Sequence, residues 1–227
     1  MPENSLFTTD RVRAIATTLY QDAPTLQRFM ARHRGSIAPV AEILNLVPQD
    51  AQVLDAGCGI GLLLNVLAHE GRCSAGSAGI DVSGGAITVA NRARARLPAN
   101  TQAADFVARR ADDFLPSQQF DCVLLIDVLH HVPSARQALF LRELTQCVRP
   151  GGRLIYKDMC RRPRWRASMN RLHDLVMARQ WINYFPVEQS EAELNAAGLV
   201  CTHRADTRLL WYGHELRVFE RPAGDSD

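Results

Sequence analysis

Seven consecutive residues carry the densest chemical signal in this chain: Asp55-Ala56-Gly57-Cys58-Gly59-Ile60-Gly61. Alternating glycines let a backbone turn tightly and let a ligand approach the main chain with no Cβ in the way. The run follows the apolar pair Val53–Leu54 and leads into 62–69, which reads as a helix. A helix start offers N–H groups that have no partner within the helix. Asp81 stands 20 residues after Gly61, at the end of the next apolar run. A carboxylate there can accept hydrogen bonds from both hydroxyls of a ribose. Together the turn and the acid predict a site for a nucleoside-bearing cofactor. The turn alone would serve equally well as a structural strand-to-helix connection.

A second group of reactive side chains falls in two later loops: Asp127, His130 and His131 in one, Lys157 and Asp158 in the other. In open α/β sheets the loops after the carboxyl ends of strands face the ligand. His131, Asp127 and Lys157 are therefore the candidates to assist deprotonation of an acceptor. Each has a structural alternative: a capping carboxylate, a ring lining the site, a solvated charge at a strand end. No spacing of acids and histidines gathers ligands for a catalytic metal.

These residues need a frame to hold them. Residues 1–50 read as three helices. Asp10 is the expected cap of the first, with Val12, Ile15, Ala16 and Leu19 on one face. Asp22 and Pro24 start the second, whose apolar face is Leu26, Phe29 and Met30. The third spans 39–46. From Gln52 onward the rhythm changes. Short apolar runs at 53–54, 78–80, 106–108, 122–126 and 153–156 alternate with helical stretches at 62–69, 86–97 and 135–148. Strands alternating with helices imply βαβ units and a parallel sheet. The pattern breaks at 161–166, a helix is expected over 167–179, and another over 188–197 is stopped by Gly198. Strands at 199–203 and 216–220 close the chain.

The first motif resembles that of the class I S-adenosylmethionine-dependent methyltransferases, an acid followed by alternating glycines; Asp55, Gly57, Gly59 and Gly61 fit it without a gap. Gly79-Ile80-Asp81-Val82-Ser83 is similar to the second motif. Arg110-Ala111-Asp112, with Asp113 beside it, resembles the third, where an acid often contacts the adenine amine. The run from Phe120 through Ile126-Asp127 to His131-Val132 resembles the fourth strand and its loop. Arg149-Pro150-Gly151-Gly152 looks like the turn into the fifth. The resemblance implies a Rossmann-like α/β fold with a seven-stranded, mostly parallel sheet, helices on both faces and an N-terminal helical extension. It also implies S-adenosyl-L-methionine as cofactor, held by Asp55, Gly57, Cys58, Gly59, Gly61, Asp81, Val82, Asp112, Asp113 and Ile126. A nicotinamide dehydrogenase is the rival reading. It is opposed by Asp55, which would repel a pyrophosphate, and by the lack of a second βαβαβ half. The expected organisation is a helical lid over 1–50, then a methyltransferase domain over 51–222 with an acceptor-region insertion at about 159–187.

That insertion holds Arg161, Arg162, Arg164, Trp165 and Arg166, then His173, Arg179, Trp181, Tyr184 and Phe185, which read either as an amphipathic helix with a basic outer face or as a pocket wall with a cationic patch. Arginine forks suit carboxylates and phosphates. The expected acceptor is a small or lipid-like molecule of secondary metabolism, free or presented by an acidic acyl carrier protein. Nucleic acid is disfavoured, because Ile126-Asp127-Val128-Leu129 is not the Asn/Asp-Pro-Pro-aromatic run of base methylation and the net charge is only +2. RNA or protein methylation and noncatalytic cofactor binding remain as alternatives. The 227 residues are 47% hydrophobic and 22% charged, which is globular composition. No stretch has the roughly 20 apolar residues of a membrane span. Six cysteines without a CxxC pair read as thiols in a reducing compartment, and the N-terminus does not read as a secretory signal. The expected location is the cytoplasm.

Overall fold

The computed structural model describes residues 6–110, 117–159, 185–209 and 212–224. Three helices come first: α1 (Thr9–Leu19), α2 (Thr25–Ile37) and α3 (Val40–Leu46). The alternating region follows as β1 (Val53–Ala56), α4 (Leu62–His69), β2 (Ala78–Asp81), α5 (Gly84–Arg94), β3 (Asp105–Ala108), β4 (Phe120–Ile126), a 3-10 turn (Leu129–His131), α6 (Ser134–Thr145) and β5 (Val148–Met159). The chain ends with α7 (Val187–Ala196), β6 (Val200–Leu209) and β7 (Tyr212–Glu220). The strands form one seven-stranded sheet in the order β3-β2-β1-β4-β5-β7-β6. It is the mixed, Rossmann-like sheet that the motifs implied.

The described residues divide into two compact units. In the first, comprising 1–114 and 120–124, β1 runs parallel to both β2 and β4, and β2 parallel to β3. All four residues of β1 are buried, as expected of a strand in the middle of a parallel sheet. α1 lays Val12, Ile15, Ala16 and Leu19 into this core, the face expected from their spacing. In the second unit, comprising 115–119 and 125–227, β7 runs antiparallel to both β5 and β6. Within it, α6 and α7 bury Phe140, Leu141, Leu144 and Leu194. Gly198, at φ +89°, ends α7 as its position suggested.

Several boundaries differ from expectation, each for a local reason. Thr8, not Asp10, caps α1: its side chain accepts the Arg11 N–H at 3.2 Å, and Asp10 sits inside the first turn. The Ser83 hydroxyl accepts the Ala86 N–H, so α5 begins two residues early, and it ends at Arg94. α6 ends at Thr145 because Val148 already belongs to β5. Arg149–Gly152, expected as a turn, is paired instead. Gly151 N–H donates to Arg221 O and Arg221 N–H to Gly152 O, which extends the ladder. On α2 the surprise is larger. Its apolar residues Leu26, Phe29 and Met30 are exposed, and the one residue it fully buries is Ala31. The helix expected over 167–179 and the expected arginine and aromatic residues of 161–184 lie outside the described residues. Cys58, Cys73, Cys122, Cys147 and Cys201 are free thiols; Cys160 is outside the described residues. No described helix is long and apolar enough to cross a membrane.

Candidate functional site

In the first unit the loop between β1 and α4 is fastened from three sides. From β2, Ile80 O accepts the N–H groups of both Gly57 and Cys58, at 2.7 and 2.9 Å. From the end of β2, Asp81 Oδ2 accepts the Gly59 N–H at 2.8 Å, and its Oδ1 accepts the Ser83 N–H at 2.8 Å. From α1, the C-cap residue Tyr20 donates its hydroxyl to Ile60 O at 2.9 Å. Asn65, buried on α4, donates to Tyr20 Oη and to Ala90 O, both at 3.2 Å. Burial pushes the Tyr20 hydroxyl well above its ordinary pKa, so it stays a donor. Packing closes the arrangement. A Cβ on Gly79 would lie 2.7 Å from the Phe106 ring and 2.9 Å from Cys58 Sγ, so the second motif needs glycine there for space alone.

Sequence reasoning missed Tyr20 and Asn65. Asn65 left a signal, a lone amide in the run Leu62-Leu63-Leu64-Asn65-Val66-Leu67. A buried amide costs free energy unless it is hydrogen-bonded, and here it is. Tyr20 left none, because its partner is 40 residues away.

The two acids of this unit differ. Asp81 is half-buried, and two of its roughly four lone-pair sites are taken by amides. The rest can accept further donors in an orientation already fixed. Asp55 is only 2% exposed, and its pKa is pushed up to about 7, first by burial and then by the charge of Asp81. An aspartate in an unfolded chain ionises near ~3.9. Between those values the folded protein holds a proton that the unfolded chain has lost. Stability therefore falls as pH rises from about 4 to about 7, and the full cost of the buried charge is present above about 7. At ~1.4 kcal/mol per unit that cost is a few kcal/mol at most. Asp55→Asn should match wild type in thermal melting near pH 4 and exceed it by roughly 5–10 °C at pH 8. A difference independent of pH would refute the buried proton.

Other expected contacts are placed as follows. Cys58 is buried, its thiol against Gly79 and pushed well up in pKa by burial. Val82 is 66% exposed, unusual for valine, just after Asp81. Ile126 is half-buried at the end of β4. Asp112 and Asp113 lie outside the described residues.

In the second unit the reactive side chains sort into two pairs. Lys157, 1% exposed, places Nζ 2.5 Å from Asp127 Oδ1, and its carbonyl accepts the Asp127 N–H at 2.8 Å. An ammonium buried this deeply needs a partner charge. Asp127 meets it from a left-handed backbone, φ +57°, a conformation uncommon outside glycine and concentrated at functional loops. The other pair is His130 Nδ1 and Asp158 Oδ1, 2.5 Å apart, both buried. Asp158 Oδ1 also accepts the Met159 N–H at 2.7 Å, which fixes the carboxylate. The 3-10 turn puts the neighbouring histidines in opposite environments: His130 is buried and His131 is exposed, with ring centroids 4.1 Å apart. The contact with Asp158 is made by His130. Lys157 and Asp127 engage each other.

Comparison with known proteins accords with this geometry. A family model described as a methyltransferase domain matches residues 26–204. The chain is 28% identical to a fatty-acid O-methyltransferase of Mycolicibacterium smegmatis over 88% of its own length and 71% of that protein. It is 29% identical to the 2-methyl-6-phytyl-1,4-hydroquinone methyltransferase of Synechocystis over 80% of its length, but spans only 57% of that relative. Among solved structures, a magnesium protoporphyrin IX methyltransferase from Synechocystis with bound S-adenosylmethionine superposes with a TM-score of 0.65 at 18% identity. That match covers 92% of this chain and 90% of the other, and at this identity it is a likeness of fold.

Proposed function

Because the chain belongs to the class I S-adenosylmethionine-dependent methyltransferases, we propose that it methylates a hydroxyl group on a small, lipid-like molecule. The observation that carries this reading is the buried His130–Asp158 pair. A carboxylate acceptor arrives ionised and needs no base, whereas a hydroxyl must lose a proton as it attacks. With Nδ1–H donated to Asp158, the lone pair of His130 sits on Nε2, the atom that would take that proton. The lipid-like character is supported by the relatives, which are named for a fatty acid and for a phytyl hydroquinone. Neither name points to a carrier-borne acceptor.

The first unit suits the cofactor. When bound, S-adenosylmethionine supplies a methyl group already activated by its positive sulfur, so alignment and exclusion of water do most of the work. Asp81 would hold the ribose hydroxyls through the lone pairs its amide bonds leave. The glycine loop would let the ligand reach the main chain. Asp55, once ionised, would face the amino group of the methionine moiety. Cofactor affinity should accordingly rise with pH through about 7, and Asp55→Asn should flatten that dependence. α1, tied to the loop through Tyr20, would cover the site. Five free thiols suit a reducing, cytoplasmic setting.

The test is transfer of a labelled methyl group from the cofactor to a panel of lipid-like phenols and alcohols, with matched carboxylic acids as controls, read by mass spectrometry. Methylation of the hydroxyl compounds is expected. Transfer to the acids alone, or to none of the panel while a cell extract is labelled in its protein or RNA, would overturn the reading.

A further inference from the structure

We propose that α2 is a docking surface for an anionic membrane. An apolar stripe normally faces the core, and here it faces solvent: Leu26 is 53% exposed, Phe29 61% and Met30 44%. His33 continues the stripe, its ring 4.5 Å from that of Phe29. At ~100° per residue these four positions share an arc of about 100°. Ala31, the residue α2 buries, lies on the opposite side. The helix therefore anchors to its own unit through one face and offers the other to something else.

The charges identify the occupant. The helix reads Thr-Leu-Gln-Arg-Phe-Met-Ala-Arg-His-Arg-Gly-Ser-Ile and contains no acid. Arg32 and Arg34 fall on either flank of the apolar arc, and Arg28 lies beyond Arg32. Asp22, the acid in the turn before the helix, is paired with Arg96. Apolar chains flanked by arginines fit a bilayer interface: the apolar groups enter the acyl boundary, and the guanidinium heads stay with anionic headgroups. A second copy of the chain would bring the same arginines and be repelled. An acidic protein would meet the arginines, yet the exposed stripe would still need its own groove. An anionic bilayer satisfies both at once. The inference gains its purpose from the lipid-like acceptor proposed above, since such acceptors reside in membranes, but the binding itself requires no acceptor.

Flotation of the full-length protein with vesicles tests it. Vesicles of phosphatidylcholine containing phosphatidylglycerol should carry the protein up the gradient. Vesicles of phosphatidylcholine alone should bind it about tenfold less, and salt should weaken the anionic case. The triple variant L26S/F29S/M30S should lose at least about tenfold in partitioning, with the melting temperature and S-adenosylhomocysteine affinity of wild type. If that variant melts early, Arg28→Glu with Arg32→Glu decides instead. Wild type left at the bottom with anionic vesicles, variants that float equally well, or a stripe whose loss changes only self-association in light scattering would each overturn the proposal. Flotation without methylation of any lipid-like hydroxyl would sink the acceptor reading and spare this one. Turnover in detergent without flotation would do the reverse.

Discussion

Alanine at His130 is expected to lower kcat by about 10²–10³-fold at saturating acceptor, with cofactor affinity unchanged by calorimetry. The loss follows from the roles assigned above. The cofactor brings its own driving force, so removing the base leaves alignment intact and takes away only the destination of the proton. Asp158→Asn should produce a loss of similar size by another route. The amide cannot act as the charged acceptor for Nδ1–H, so the ring loses the partner that fixes its tautomer and orientation. Because the two side chains act as a unit, the double variant should be little worse than either single one. His131→Ala, by contrast, should leave turnover nearly unchanged, because its ring is exposed. A His130→Ala enzyme within threefold of wild type on a hydroxyl acceptor would end the assignment.

His130 and His131 also show where sequence reading stops. Their place in the loop after the fourth strand was legible. Which of two adjacent rings turns inward depends on the 3-10 geometry of Leu129–His131 and on Asp158, 28 residues away. Periodicity cannot resolve a three-residue turn. The first motif was legible for the opposite reason. Its glycines stand at left-handed backbone positions and Asp81 holds the Gly59 and Ser83 amides, so local geometry alone demands these residue types. The order of strands and helices could be read from the alternation of apolar runs, while their ends shifted wherever a side-chain cap such as Thr8 or Ser83 competed. The face of α2 was read correctly as apolar. That it stays exposed is a property of packing, which a 3.6-residue period does not encode.

Gly61→Ala should be the most damaging single-methyl change in the first unit, and comparison with Gly59→Ala shows why. Gly61 is the N-cap of α4 at φ +72°, ψ 25°. A Cβ there would sit 2.7 Å from Phe106 Cε1 and 2.8 Å from the Ala90 Cβ. Left-handed backbone costs a residue with a Cβ about 1–2 kcal/mol, and forcing a methyl into a packed core costs about 1–3 more. The sum, about 2–5 kcal/mol, should lower the melting temperature by roughly 5–15 °C. Gly59 has a similar φ of +54°, but a Cβ there meets nothing within 4 Å. Gly59→Ala should therefore cost only the backbone part. Its methyl should register in cofactor affinity, because it enters the open space that a ligand would use. Phe106→Leu should soften the clash of Gly61→Ala and leave Gly59→Ala untouched, so a double-mutant cycle should show coupling for Gly61 alone. If both alanines melt at the same temperature, the packing of Phe106 and Ala90 around Gly61 is not what makes glycine obligatory there.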